Sequence, residues 1–229
     1  MLELRDAHRR YGDSAVLRGV DLALRPGEIV GVCGASGSGK STLLRALAGI
    51  ERLHSGELLM GGAPVWRGRR SAPTLPRPGY VQQVFQDPVS ALDERWPLWR
   101  TITEPLTAPG RPRLSRSVRR ARAQRALASV GLDALPLDAR PGELSVGQCQ
   151  RVAIVRSMTA SPAVLLADEP TSALDAMNVQ GVLDLLRGAA DAGSALVVVS
   201  HDARVLRALC DRTFTLTGGL LEAGQALQG

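Results

Sequence analysis

The stretch Gly34-Ala35-Ser36-Gly37-Ser38-Gly39-Lys40-Ser41 constrains this chain more than any other. It fits G-x-x-x-x-G-K-[S/T] at every fixed position. Before it comes a short apolar run, Glu28-Ile29-Val30-Gly31-Val32-Cys33, which reads as a buried strand. After it comes Ser41-Thr42-Leu43-Leu44-Arg45-Ala46-Leu47-Ala48, which reads as a helix stopped at Gly49. Strand, glycine loop and helix in that order open an α/β unit that cradles phosphates on backbone N–H groups and a helix N-terminus. Lys40 is the only lysine among 28 basic residues. Its compact ammonium on a flexible stem can reach β- and γ-phosphates where the wide planar fork of Arg would not fit. Ser41 offers a hydroxyl to Mg²⁺.

A second segment, Val164-Leu165-Leu166-Ala167-Asp168-Glu169-Pro170, puts two acids at the end of an apolar strand. Open α/β sheets hold their ligands at the C-terminal ends of strands. Asp168 there can hold Mg²⁺, and Glu169 can polarise an attacking water, which suits phosphoryl transfer. A third, Leu144-Ser145-Val146-Gly147-Gln148, reads as a helix start with Ser145 as N-cap and Gln148 as its capping-box partner. That helix end is a second anion site in one chain, which suggests that a nucleotide is shared between two copies.

Around these motifs the chain reads as an antiparallel β portion near the N-terminus, a Gly-, Pro- and Arg-rich loop at 61–79, and a mostly helical stretch from Asp87 to Ser161. The runs at 163–167 and 195–199 read as central strands of a parallel sheet, with a crossover helix at 178–192 between them. Thr213 to Glu222 reads as a closing hairpin around Gly218-Gly219. The expected division is one domain, with 1–86 and 162–229 as core and 87–161 as a helical subdomain.

No apolar run approaches the roughly 20 residues of a bilayer span, and the N-terminus lacks a hydrophobic leader. Cys33, Cys149 and Cys210 form no disulfide or zinc pattern and read as small buried hydrophobes. The net charge is +6, and arginines crowd between Arg111 and Arg125. Nucleic acid or anionic lipid would suit that charge, but a solvated helix face is the expectation, and aromatics at 3% give no platform for single strands.

Taken in order, the motifs resemble those of ATP-binding-cassette (ABC) ATPases over nearly the whole chain. The resemblance implies a P-loop NTPase with a RecA-like α/β core, an N-terminal antiparallel β portion and a helical insert. It implies that Tyr11 stacks on adenine with Val16 beside the base. Gly34, Ala35, Ser36, Gly37, Ser38, Gly39, Lys40, Ser41 and Thr42 would bind phosphates, and Gln86, in Val84-Phe85-Gln86-Asp87-Pro88, would sense Mg²⁺ and γ-phosphate. Asp168 and Ser41 would hold Mg²⁺, Glu169 would be the catalytic carboxylate and His201 the switch histidine. Ser145, Gly147, Gln148 and the D-loop Asp175 would face the nucleotide of a second, identical or paralogous, ATPase subunit. The family usually has Gly where Val146 stands; Ser145 and Gly147, which the resemblance makes the main phosphate contacts, are kept, and Val146 could weaken closure or slow hydrolysis if its side chain crowds the partner's nucleotide.

The segment from Phe85 to Trp96, followed by Ile102 and Glu104-Pro105-Leu106, is similar to the ATPases of bacterial peptide, dipeptide and nickel importers, with Glu94 where Pro is common. It implies a peripheral subunit on the cytoplasmic face of the membrane. The segment after Gln86, with Trp96 and Trp99, would receive a permease, the alternative for both Trp being burial in the core, and a substrate-binding protein would act indirectly. An ABC exporter subunit and a soluble ABC ATPase of DNA repair or translation are the alternatives. The second is disfavoured because the chain has neither a second cassette nor a long coiled-coil insert, and no nucleic-acid partner is expected.

Overall fold

The computed structural model describes residues 1–66, 72–172, 174 and 176–224. The chain runs β1 (Leu2–Tyr11), β2 (Ser14–Leu24), β3 (Ile29–Cys33), α1 (Lys40–Leu47), β4 (Ser55–Met60), β5 (Ala63–Pro64), β6 (Val81–Val84) and α2 (Leu98–Ile102). It continues with α3 (Arg116–Ala128), α4 (Val146–Thr159), β7 (Val164–Asp168), α5 (Ala176–Asp191), β8 (Ala195–Val199), α6 (Ala203–Leu209), β9 (Arg212–Thr217) and β10 (Leu220–Ala223).

Two sheets carry the fold. The smaller is antiparallel, in the order β2-β1-β4-β5, and the larger has the order β10-β9-β3-β8-β7-β6. In the larger sheet β9, β3, β8, β7 and β6 run parallel, and β10 returns antiparallel along β9. Side chains on successive strand residues point to opposite faces, so a strand covered on both sides must be apolar throughout. β8 meets this with Ala195-Leu196-Val197-Val198-Val199, every residue of it buried. On one face Val197 and Val199 join Leu2, Leu24 and Met60 of the smaller sheet with Leu43 and Leu47 of α1. On the other, Leu196 and Val198 pack against Val182 and Leu186 of α5 and Val205 and Leu209 of α6. Each fully buried Leu or Val here contributes about 1.5–3 kcal/mol relative to an exposed one.

Residues 92–155 form a cluster of their own, with Leu98 and Ile102 of α2, Ala123 and Leu127 of α3, and Val152 of α4 fully buried. The start of α4 has the capping box expected from the sequence. The Ser145 hydroxyl accepts from the Gln148 N–H at 3.3 Å, and the Gln148 side-chain oxygen accepts from the Ser145 N–H at 2.9 Å.

The arginine-rich stretch is a solvated face at Arg113, Arg116, Arg122 and Arg125, which are exposed, and departs from one at Arg111, Arg119 and Arg120. Arg111 donates to the carbonyls of Pro78 at 2.8 Å and Ala160 at 3.0 Å, tying the helical segment to the start of β6 and the end of α4. Arg119 donates to the Thr103 hydroxyl at 2.9 Å and lies over the Trp99 ring, which Arg116 also covers. Arg120 forks onto Asp138 at 2.6 and 2.9 Å. These positions read as solvated from sequence because their partners come from other segments. Burial pushes the Cys149 thiol up, and burial with Asp211 nearby pushes that of Cys210 up to about 12, so both are inert packing groups.

Candidate functional site

The glycine loop joins the end of β3 to α1, and its backbone is what other residues cannot supply. Gly39, at φ 104°, turns the chain into α1, and a Cβ there would lie 2.8 Å from Val16 Cγ1. Gly34, at φ 154°, lies against β9, where a Cβ would lie 2.5 Å from the Leu216 carbonyl oxygen. A left-handed or crowded backbone position of this kind is one that glycine occupies at least cost.

Lys40 folds back over this loop, and its Nζ donates to the carbonyls of Gly34 at 2.7 Å and Ala35 at 2.8 Å. The ammonium is thereby held over the loop by two carbonyl oxygens whose place phosphate oxygens can take. The Ser38 hydroxyl is buried with no hydrogen-bond partner. An orphaned donor inside a glycine cradle fits a phosphate oxygen, because leaving such a group unpaired costs about 1–3 kcal/mol.

The parallel pairing of β7 with β8 sets Asp168 opposite Val199, so both strand ends open on the same edge. Burial raises the Asp168 carboxyl above its ordinary range, Glu169 beside it raises it further, and Lys40 opposes the shift. Glu169 is 8% exposed and takes a left-handed backbone at φ 46°, rare for a residue with a Cβ. Its carbonyl accepts from the Ser172 N–H at 3.2 Å and hydroxyl at 3.0 Å, which holds the turn. Its Oε1 accepts from the His201 N–H at 3.0 Å and meets His201 Nδ1 at 2.9 Å. A carboxylate only accepts, so Nδ1 carries the proton in this contact. Asp202 caps α6 by accepting from the Arg204 N–H at 2.8 Å, which fixes the chain just after the histidine.

A cleft of about 540 Å³ collects Tyr11, Val16, Gly34, Ser36, Gly37, Gly39, Lys40, Ser41, Thr42, Gln86, Asp168, Glu169 and His201. Tyr11 enters it from the tip of the β1–β2 hairpin, and Gln86 from the segment after the edge strand β6. Ala35 and Ser38 line an adjoining pocket of about 320 Å³ with Val16, Ser36, Gly37 and Leu216. Ser145, Gly147 and Gln148 sit at the start of α4 and line neither, with Gly147 beside Leu174. Val146, next to them, is 47% exposed. Asp175 lies outside the described residues. Glu169 and His201 also form one wall of a second cleft of about 480 Å³, bounded by Leu174, Val179 and Arg204.

Opposite charges face each other across the larger cleft, the Lys40 ammonium on the loop side and two carboxylates on the strand side. Among the described residues no group of three or more His, Cys, Asp and Glu side chains could hold a metal by itself. The oxygen donors present, from Asp168, Ser41 and Gln86, instead suit a hard cation that takes part of its shell from phosphates.

The sequence profile of the ABC transporter family matches residues 17–172. The chain belongs to the ABC transporter family.

Curated relatives agree. The chain is 36% identical over its full length to the probable D,D-dipeptide transport ATP-binding protein DdpF of Escherichia coli, covering 73% of that protein. It is 37% identical to the nickel import ATP-binding protein NikE of Shigella dysenteriae, with 95% of the chain and 81% of the relative aligned. It is 36% identical to the arginine/ornithine transport ATP-binding protein AotP of Pseudomonas aeruginosa, with 96% and 89% aligned. The solved dimer of the ATP-binding cassette MJ0796, in a post-hydrolysis state with ADP and Pi, matches all of both chains at TM-score 0.87 and 31% identity. As a member of this family the chain is an ATPase with the P-loop NTPase fold.

Sequence reasoning missed three residues around Tyr11. Arg9 places its guanidinium over the Tyr11 ring, 4.6 Å from the centroid, and pairs with Glu51, which also pairs with Arg45 at 3.1 Å. The one signal in the sequence is the i, i+2 spacing of Arg9 and Tyr11, which puts both on one face of a strand.

Proposed function

We propose that this chain is the ATP-hydrolysing subunit of a bacterial ABC importer, acting peripherally on the cytoplasmic face of the membrane. The functions for which its relatives are named, dipeptide transport and nickel import among them, favour import. The segment from Phe85 to Trp96 points the same way, towards the peptide and nickel group. Relatives named for arginine/ornithine transport stand at the same identity, so a small solute of this breadth is the proposal rather than one compound. No helix among the described residues is long and apolar enough to cross a membrane, which fits a subunit that docks on a separate permease.

The observation that carries the catalytic reading is the single cleft holding Lys40, Asp168, Glu169 and His201. In this reading Tyr11 and Val16 hold the base, and residues 34–42 hold the phosphates. Lys40 leaves its two loop carbonyls for β- and γ-phosphate oxygens. Glu169, oriented by His201, accepts a proton from the attacking water, and His201, which lines the same cleft, contacts the γ-phosphate. Mg²⁺, held by Ser41, Asp168 and Gln86, would supply charge neutralisation on the phosphates. Residues 87–161 form the helical subdomain, supported by its separate hydrophobic cluster, and the core comprises 1–86 and 162–229.

Ser145, Gly147 and Gln148 lie outside the chain's own cleft, which supports their facing the ATP of a second subunit, with Asp175 assigned to the same interface. The exposed Val146 side chain stands on that surface, where it would oppose close approach. Permease subunits and, through them, a substrate-binding protein complete the proposed assembly.

The test is reconstitution of the chain with its partner ATPase and candidate permeases in vesicles. ATP consumption that rises with solute-loaded binding protein, with solute entering, supports import. Solute leaving would favour the exporter alternative. Loss of measurable ATP affinity on Lys40→Ala checks the phosphate assignment within the same preparation.

A further inference from the structure

Tyr11 stands at the end of β1 and is 43% exposed where it lines the cleft. One face of its ring is covered by the Arg9 guanidinium, centred 4.6 Å from the ring centroid. Arg9 is itself fixed from two directions. Its Nη2 pairs with Glu51 Oε1 at 2.5 Å, and its Nη1 donates to His54 Nδ1 at 3.3 Å. The same Nδ1 accepts the Arg10 backbone N–H at 3.3 Å, so it is the lone-pair nitrogen of a neutral ring.

Glu51 is the anchor. It is 7% exposed, just beyond the end of α1, and its second oxygen takes Arg45 of α1 at 3.1 Å. A buried carboxylate that takes one guanidinium on each oxygen is held in one geometry, because moving either cation away leaves a buried oxygen without its partner. The phosphate-loop helix and the strand carrying Tyr11 are thereby joined through Arg45, Glu51 and Arg9.

We infer that Arg9 is a positioning residue for the nucleotide base: clamped by Glu51 to the helix that follows the phosphate loop, it braces the back face of Tyr11. This rests on the reading of Tyr11 as the base-stacking residue. An unbraced aromatic at a hairpin tip loses rotamer freedom when a base stacks on it. A braced one has already lost it, so base binding is tighter. A cation on the far face also draws density from the ring, which favours an electron-rich purine on the near face.

The experiment compares two ligands, ATP and inorganic tripolyphosphate, the second having the phosphates but no base. Binding is measured by calorimetry for the wild type, Arg9→Met, Arg9→Lys, Tyr11→Ala and Arg9→Met with Tyr11→Ala. Arg9→Met is expected to weaken ATP about fivefold, the size of one cation–π contact. Tripolyphosphate binding should stay unchanged, and KM for ATP should rise while kcat does not. In the Tyr11→Ala background Arg9→Met should add no further loss. Arg9→Lys keeps a cation on Glu51 but no planar group on the ring, and is expected to show a smaller loss confined to ATP. It carries the same comparison if Arg9→Met does not fold.

Equal weakening of both ligands would overturn the inference, since that is the mark of a general loosening of the fold. A loss of ATP affinity on Arg9→Met that persists without Tyr11 would overturn it too. If Tyr11→Ala weakens ATP and neither Arg9 variant does, Arg9 is no brace while the tyrosine keeps its role. If Tyr11→Ala leaves the ratio of the two affinities unchanged, the stacking role fails and the brace with it.

Discussion

Glu169 and His201 are joined twice through one oxygen: Glu169 Oε1 takes both the backbone N–H of His201 at 3.0 Å and its ring Nδ1 at 2.9 Å. The pairing of β7 with β8 brings the two within reach, and the left-handed turn at Glu169 aims the carboxylate back across that edge. A carboxylate held from the protein side is presented to the cleft in one orientation, at no further cost in side-chain entropy.

Replacing the proposed base should separate binding from turnover. Glu169→Gln keeps an acceptor oxygen for His201 but cannot take a proton. ATP affinity is expected to stay within about twofold, and phosphate release to fall by about 100-fold or more. Equilibrium binding and a phosphate-release assay on one preparation check this; turnover like that of the wild type would remove Glu169 from the role.

His201→Ala removes the ring contact to Glu169 together with the proposed contact to the γ-phosphate. The backbone N–H still reaches Glu169, so one of the two contacts survives. A hydrogen bond to a charged group contributes about 1.5–3 kcal/mol, so loss of the Glu169 contact should lower turnover roughly 10- to 100-fold, with a smaller loss of ATP affinity from the missing γ-phosphate contact. Single-turnover measurements at saturating ATP provide the readout.

The loop glycines should not be equivalent. A methyl on Gly34 would meet the Leu216 carbonyl at 2.5 Å and Ser38 Oγ at 2.8 Å, whereas one on Gly37 would meet nothing within 4 Å. Gly37, at φ 77°, then pays only the left-handed penalty of about 1–2 kcal/mol. Gly34→Ala should lose clearly more stability than Gly37→Ala in urea denaturation.

Asp168 makes stability depend on pH with a sign fixed by its raised carboxyl. A carboxyl that holds its proton better folded than unfolded favours folding below its unfolded value, and that contribution is lost as pH rises through its folded value. At neutral pH Asp168→Asn should therefore be more stable than the wild type, though inactive. The gap should close as pH falls towards the model-compound value of 3.8. Urea midpoints of both proteins across that range test the sign.

Much of the site is legible in the sequence because its demands are local. Glycine at 34, 37 and 39, a cation at 40 and acids at the end of an apolar run each follow from one segment's own chemistry. The Ser145 cap is legible for the same reason, since both partners lie within one turn. What sequence reasoning misses depends on pairing between distant segments. The bond from Glu169 to His201 needs the β7–β8 register, and the clamp on Arg9 needs Glu51 and Arg45 folded in from beyond the loop. Arginines at 111 and 119 look like solvent-facing charge until the carbonyls and hydroxyl that bind them are brought across from other elements.

If Ser145, outside its own chain's cleft, serves the partner's site as proposed, its position has a genetic consequence. In a pair of identical chains built on shared sites, a copy defective at Lys40 and a copy defective at Ser145 are each inactive with themselves, because every site then carries one fault. Mixed together, they concentrate both faults in one site and leave the other whole. Co-expression of the two alleles would then restore growth that neither supports alone, a form of intragenic complementation.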